Sequence, residues 1–316
     1  MKSSIFWPFL IIALSLTHSC GPTNNDSSNQ ELEVIAGNNF FLNSNRRAIN
    51  KEEQRHILKA TKRNQNSGCT AFWVENNQGR FIVGTARHCY KWVISDACKN
   101  DEIRILPDGE LAGKFQGRCE RLIASSTLHD VALIEISLTD SRGKKVSSKV
   151  LQTVRENITP LKLADYVPND YDHLKMYGYP GDEERKGRAT TSENCWILPK
   201  EAPSVWESLD HSNLERRFQR YIERARNAPI DPVVARYRES LRQNRLKYNC
   251  SVYGGNSGGP IVLEGTRDVV GLPVTYYPDL YTKIPEDHGH ELEDMKSFVD
   301  HHRETLKSFG ISLSRF

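Results

Sequence analysis

Three residues of this 316-residue chain have the side chains that nucleophilic acyl transfer requires, and each stands in a suggestive local sequence. His88 lies in Thr85-Ala86-Arg87-His88-Cys89, Asp130 in His129-Asp130-Val131-Ala132-Leu133-Ile134, and Ser257 in Gly254-Gly255-Asn256-Ser257-Gly258-Gly259-Pro260. A serine hydroxyl is a poor nucleophile at its own pKa. It becomes an effective one when an imidazole takes its proton and a carboxylate fixes that imidazole's tautomer. The glycines around Ser257 let the backbone turn sharply, so the amides of Gly255 and Ser257 can face an oxygen that gains charge in a tetrahedral intermediate. Singly, each motif has a plainer explanation: a glycine turn, a core histidine, an aspartate flanking a strand. Together, in this order and context, they point to acyl-transfer chemistry.

Such groups need rigid elements to hold them. Residues 80–84, Arg-Phe-Ile-Val-Gly, form a β-rich run that places His88 just past a strand's end. Val131-Ala132-Leu133-Ile134-Glu135-Ile136 reads as a buried strand with Asp130 at its start. Adjacent side chains of an extended stretch face opposite ways, so His129 is expected to point away from any site that Asp130 enters. Leu292, Met295, Phe298, Val299, His302 and Leu306 recur at three-to-four-residue spacing and predict an amphipathic helix over 291–306. A hydrophobic content of 38% supports a sizeable core, and a net charge of +3 argues against obligate nucleic-acid binding.

Between Cys195 and Cys250 lies an insertion, about 199–248, with helical periodicity. Residues 212–228 carry Leu214, Phe218, Tyr221, Ile222 and Ala225 on one face, and 232–248 carry Val233, Tyr237, Leu241 and Leu246. Pro229-Ile230-Asp231-Pro232 separates the two, which predicts an αα-hairpin. Its polar side is rich in arginine, Arg216, Arg217, Arg220, Arg224 and Arg236 among them. One reading is a lid, or a surface for an acidic partner, substrate or lipid head group. The other is a solvated face paired with Glu215, Glu223 and Glu239. His288, His290, His301 and His302 lack matched ligand spacing, and no Cys-x-x-Cys occurs, so neither a metal nor a cofactor is expected.

The chain opens Met1-Lys2-Ser3-Ser4 and then runs apolar over 5–16, the length of a secretory core and too short to span a bilayer. Residues 1–19 are read as a signal peptide. Leu16-Thr17-His18-Ser19-Cys20 followed by a polar linker over 20–45 resembles a bacterial lipoprotein, tethered to the membrane by lipid on Cys20. The expected location is the cell envelope, as an outer-membrane lipoprotein facing periplasm or surface; ordinary secretion is the alternative. With Cys20 acylated, the seven cysteines become six, the even number a disulfide framework needs.

The order His88, Asp130, Ser257 and the surrounding motifs resemble the chymotrypsin-like, or trypsin-like, serine proteases over about 67–275. Subtilisin-like and α/β-hydrolase chains carry the same groups in other orders. Asn256, Met176-Tyr177-Gly178-Tyr179-Pro180-Gly181-Asp182 and Cys250 resemble the bacterial branch that includes glutamyl endopeptidases. Asn256 stands where animal members carry the aspartate that pairs with a freed N-terminus. The resemblance implies an all-β fold of two six-stranded antiparallel β-barrels with the active site between them, plus the helical-hairpin insertion and the C-terminal helix. The protease domain would span 46–316, with a first barrel about 46–165, a second about 170–316 and a crossover near 160–170. It further implies a Cys69-Cys89 bridge beside the histidine. Cys195 and Cys250 flank the insertion and are assigned to each other, which leaves Cys98 with Cys119.

The implied activity is serine endopeptidase cleavage of a protein or peptide substrate through an acyl-enzyme, with Gly255 and Ser257 as oxyanion hole. A pocket lined by Ser251, Val252, Pro273 and Val274 predicts a modest apolar residue before the cut. Ser251 replaces the aspartate of trypsin-like specificity, and Pro273 replaces the glutamate-reading histidine of glutamyl endopeptidases. The alternative is an idle or latent protease-fold lipoprotein acting as a binding module. Oligomeric state is left open.

Overall fold

Apolar residues on both faces of successive strands dictate how the first half of the chain closes. The computed structural model describes residues 46–62, 68–90, 94–126, 129–180, 188–199, 246–250, 252, 255–273 and 290–315. Six strands, β2 (Ile57–Lys62), β3 (Gly68–Val74), β4 (Ile82–Ala86), β5 (Ile103–Leu106), β6 (Gln116–Ser126) and β7 (Val131–Thr139), form a closed antiparallel barrel in the order β2-β3-β4-β7-β6-β5. Alternate residues of β7 divide between two apolar clusters. Ala132, Ile134, Ile136 and Leu138 fill the barrel with Trp73, Val83 and Ile105. Val131 and Leu133 instead join Phe72 and Ile82 in a second cluster shared with the other half of the molecule. Burial on both faces is why this strand reads as an almost continuous apolar run.

The second half builds another ring. Strands β9 (His173–Gly178), β10 (Thr190–Leu198), β11 (Lys247–Tyr248), β12 (Ile261–Leu263), β13 (Asp268–Pro273) and β14 (His290–Asp294) pair in the cycle β12-β9-β10-β11-β14-β13, and β13 pairs back onto β12. Leu174, Met176, Ile197, Tyr248, Ile261 and Val270 form its interior. The fold is thus the expected all-β pair of six-stranded barrels, with three strands added. β1 (Arg46–Ala48) pairs with β10, while β8 (Lys162–Ala164) and β15 (Leu313–Ser314) extend the sheet in parallel from β13.

Among the described residues, four α-helices decorate the sheets: α1 (Lys51–Gln54), α2 (Ile94–Lys99), α3 (Ser148–Asn157) and α4 (Met295–Ser308). α4 sends Met295, Phe298, Val299 and Leu306 into the shared cluster, where they meet Val131 and Leu133 of the first barrel and Val269 and Leu272 of the second. Arg303 of α4 binds both carboxylate oxygens of Asp165, in the stretch between the barrels. Disulfides join Cys69 to Cys89, Cys98 to Cys119 and Cys195 to Cys250, a set consistent with an exported protein.

Several expected boundaries shift. The C-terminal helix starts at Met295 rather than 291, because 290–294 pair as a strand with β11 and β13. The second helix expected over 232–248 cannot reach its predicted end: Lys247 and Tyr248 are strand, and Tyr248 is fully buried in the second barrel. Residues 46–48 and 162–164, expected in the first barrel, belong by pairing to the second sheet, so the first barrel's strands run only from Ile57 to Thr139. The signal peptide, Cys20 and its linker, and 200–245 of the insertion lie outside the described residues.

The Arg303 guanidinium holds the Asp165 carboxyl below its usual range. A depressed folded pKa gives stability that is present above the unfolded value and lost as pH falls through the folded one. Unfolding measured by urea titration across pH should therefore show a loss in the wild type, below the ordinary carboxylate pKa near 3.8, that Arg303→Met lacks.

Candidate active site

β4 and β7 run side by side, Ala86 opposite Val131, so the residues that leave one and enter the other are neighbours. His88 sits in the 3-10 turn Arg87–Tyr90 that follows β4, and Asp130 directly precedes β7. Asp130 takes the left-handed conformation with φ 51°. For a residue other than glycine that conformation costs about 1–2 kcal/mol, although aspartate tolerates it better than most. Three hydrogen bonds to two residues hold it there. The Asp130 carbonyl accepts from the Arg87 N–H at 2.7 Å, Oδ1 accepts from the His88 N–H at 2.9 Å, and Oδ2 is hydrogen-bonded to His88 Nδ1. An ionised carboxylate only accepts, so this contact puts the ring proton on Nδ1 and leaves Nε2 as a base. The Asp130 side chain is 4% exposed and that of His88 23%, so the carboxylate is sheltered while the imidazole reaches solvent.

The Ser257 loop docks on the first barrel through Thr70 of β3. The Thr70 N–H donates to the Ser257 carbonyl at 2.8 Å, and its hydroxyl donates to the Gly255 carbonyl at 3.0 Å. The same hydroxyl accepts from the Tyr179 N–H at 3.0 Å, and the Thr70 carbonyl accepts from the Thr85 hydroxyl at 2.7 Å. Every polar group of this fully buried residue is thereby used, two of them on the Ser257 loop. Gly258 makes the approach possible. It has φ 80°, and a Cβ there would stand 2.4 Å from the Thr70 oxygen and 2.5 Å from the Ala86 nitrogen. Cys89 Sγ lies 3.8 Å from the Ser257 carbonyl oxygen, so the residue next to His88 touches the residue next to Gly258.

Asn256 is 1% exposed and packs on Gly178, where a Cβ would come within 2.5 Å of its Oδ1. The Gly-Tyr-Pro motif of the sequence thus includes the glycine that makes room for Asn256. Gly255 has φ 96° and is half-buried. Val252 is buried in the second barrel with Cys195, Cys250 and Tyr248. Pro273 ends β13, opposite Leu292. Ser251, Gly254 and Val274 lie outside the described residues. Among the described residues, one group of potential metal donors comes together, Cys69, His88 and Cys89 within 4.8 Å of one another. Their two sulfurs are bonded to each other and offer no thiolate.

His129 and Asp130 lie in a turn, not in the extended stretch expected, and the His129 ring bonds to residues outside the His88–Asp130 pair. Its Nδ1 pairs with the Ser126 hydroxyl at 2.8 Å and its Nε2 with the Ser297 hydroxyl at 2.9 Å. Sequence reasoning passed over Thr70, Thr85 and Ser297. The signal for Thr70 is a polar residue at the head of the apolar run Ala71-Phe72-Trp73-Val74 and next to a cysteine. Nothing local marks Ser297.

The sequence profile of the trypsin-like peptidase domain matches residues 69–272, more than half of the chain. The chain belongs to the trypsin-like peptidases. No curated protein sequence matches it. Among solved structures, the VesB protease of Vibrio cholerae is similar at 14% identity over 83% of this chain and 67% of that one, with a TM-score of 0.49. The thermostable serine protease AL20, from an extremophilic microorganism, is similar at 16% identity over 79% and 95%, with a TM-score of 0.45. The scabies mite inactivated protease paralogue S-D1 is similar at 11% identity over 85% and 98%, with a TM-score of 0.47. Likeness at these levels does not bear on substrate or activity.

Replacing Thr70 by valine keeps its shape but strips buried partners from the Gly255 carbonyl and the Tyr179 N–H. A buried group left without its partner costs about 1–3 kcal/mol. Chemical denaturation should report a loss of about that size for Thr70→Val, and Thr70→Ser should recover most of it.

Proposed function

We propose that this trypsin-like peptidase is an exported serine endopeptidase in which Ser257 is the nucleophile, His88 the general base and acid, and Asp130 the orienting carboxylate. The observation that carries this reading is the three-bond attachment of Asp130 to Arg87 and His88, which leaves the half-exposed imbalance of a sheltered carboxylate and a solvent-reaching base. His88 Nε2 takes the Ser257 hydroxyl proton as Oγ adds to the scissile carbonyl. The carbonyl oxygen gains negative charge, which the N–H groups of Gly255 and Ser257 stabilise. Collapse expels the amine, protonated by His88, and leaves an acyl-serine. Water, deprotonated by the same imidazole, releases the acid and restores the serine. Each oxyanion donor of this kind contributes about 2.7–4 kcal/mol to transition-state stabilisation.

Finer features belong to the same proposal. The local sequence at Gly178 and Asn256 supports a place near the bacterial branch, and the neutral Asn256 amide would not form the charge pair by which a freed ammonium terminus switches animal relatives on. Ser251, Val252, Pro273 and Val274 would select a modest apolar residue before the cut. Lipid on Cys20 would hold the enzyme at the cell envelope, and the arginine-rich insertion would meet an acidic partner there.

Labelling by a fluorophosphonate probe at neutral pH tests the core of the proposal. The mature protein should react and Ser257→Ala should not, while Asp130→Asn should lower turnover of a peptide ester by about 10⁴. Labelling that survives in Ser257→Ala would sink the assignment of the nucleophile. A peptide-library digest dominated by cuts after charged residues would overturn the apolar pocket.

A further inference from the structure

His129 makes contacts that the chemistry above does not use. It precedes Asp130 in the turn between β6 and β7, it is 7% exposed, and both of its ring nitrogens are engaged. The Ser126 hydroxyl accepts from the backbone N–H of His129 at 3.1 Å and lies 2.8 Å from its Nδ1. The one hydroxyl thus meets both the backbone and the ring of His129. Ser297, on the other ring nitrogen, stands in the first turn of α4, and because both partners are hydroxyls, which donate or accept, either neutral tautomer of the ring spans the two. Phe298, the next residue of α4, stands edge-on to the imidazole with centroids 6.1 Å apart.

This places one imidazole between the turn that presents Asp130 and a helix fixed from other directions. Met295, Phe298 and Val299 anchor that helix in the cluster common to both barrels, and Arg303 ties it to Asp165. The left-handed backbone of Asp130 is a conformation its surroundings must impose. On the one side Arg87 and His88 hold it; on the other, the ring of His129 holds the preceding residue.

We propose that His129 is a positioning residue whose bridge from Ser126 to Ser297 fixes the Asp130 turn, so that the C-terminal helix sets the geometry of the His88-Asp130 pair. The proposal rests on the reading of Asp130 as the carboxylate that orients the catalytic imidazole. Its consequence is that the hydroxyl of a surface residue on α4, outside the cleft motifs, controls reactivity at Ser257.

The test compares the mature protein with Ser297→Ala, Ser297→Thr and His129→Ala in two measurements. One is the rate of fluorophosphonate labelling, at a temperature where each variant is folded by circular dichroism. The other is the far-downfield proton resonance of His88 Nδ1–H against Asp130, which reports that pair whether or not Ser257 reacts. Ser297 is exposed, so its alanine variant should fold even if His129→Ala does not. Misplacement of a reacting group by about 1 Å can cost about a hundredfold in rate. Ser297→Ala should therefore slow labelling by about ten- to a hundredfold and shift or broaden the resonance, and Ser297→Thr, which keeps the hydroxyl, should restore both. An unchanged rate and resonance in a folded Ser297→Ala, even with a lowered Tm, would overturn the proposal and leave His129 a structural contact. Failure of the threonine to restore them would do the same. A wild type that does not label, yet whose resonance moves in Ser297→Ala, would uphold the positioning role and defeat the protease reading instead.

Discussion

Two barrels can share a site only if their backbones are held in one register, and here that register is set at a single threonine. Thr70 lies on the first barrel, but two of its hydrogen bonds end on the Ser257 loop and a third on the strand end that carries Tyr179. A main-chain bond from a strand fixes position more firmly than a side-chain contact, because neither partner has a rotamer to change. Gly258 is the counterpart of this bond. Its missing side chain lets the loop come close enough for the bond to form.

The same logic of sides explains the wider packing. Strands β3, β4 and β7 bury one face inside their own barrel and the other against the second barrel and α4. A surface that is apolar on both faces cannot be left wet on either, so the first barrel is incomplete by itself. The ion pair of Arg303 with Asp165 and the imidazole bridge from His129 add direction to what apolar burial alone leaves unoriented.

What could be read in the sequence follows from range. His88 after a strand and Asp130 before one were legible because the strand pattern is local and the motif residues adjoin it. The all-β class was legible for the same reason. Thr70 was not, because the partners that tie it to the second half, Tyr179, Gly255 and Ser257, lie more than a hundred residues away and its role is made by the fold. The start of α4 was misplaced because 290–294 have helical spacing but are claimed by two neighbouring strands, a tertiary override of local preference. Lys247 and Tyr248 were drawn into a helix on the same ground, while the bridge to Cys195 and the pairing with β10 place them in the sheet.

The parallel seam of β13, β8 and β15 has a consequence for the order of assembly. β8 leaves the first half of the chain at residue 162 but finds its neighbours only at 268 and 313. Contacts so distant along the chain impose a large loop-closure entropy and form late. During synthesis the first barrel can close its hydrogen-bond ring early, yet its outward apolar face waits for the last residues to emerge. The junction between the two halves is therefore completed only when the C-terminal helix and last strand are in place, so whatever the paired barrels do, they can do only after the whole chain has been made.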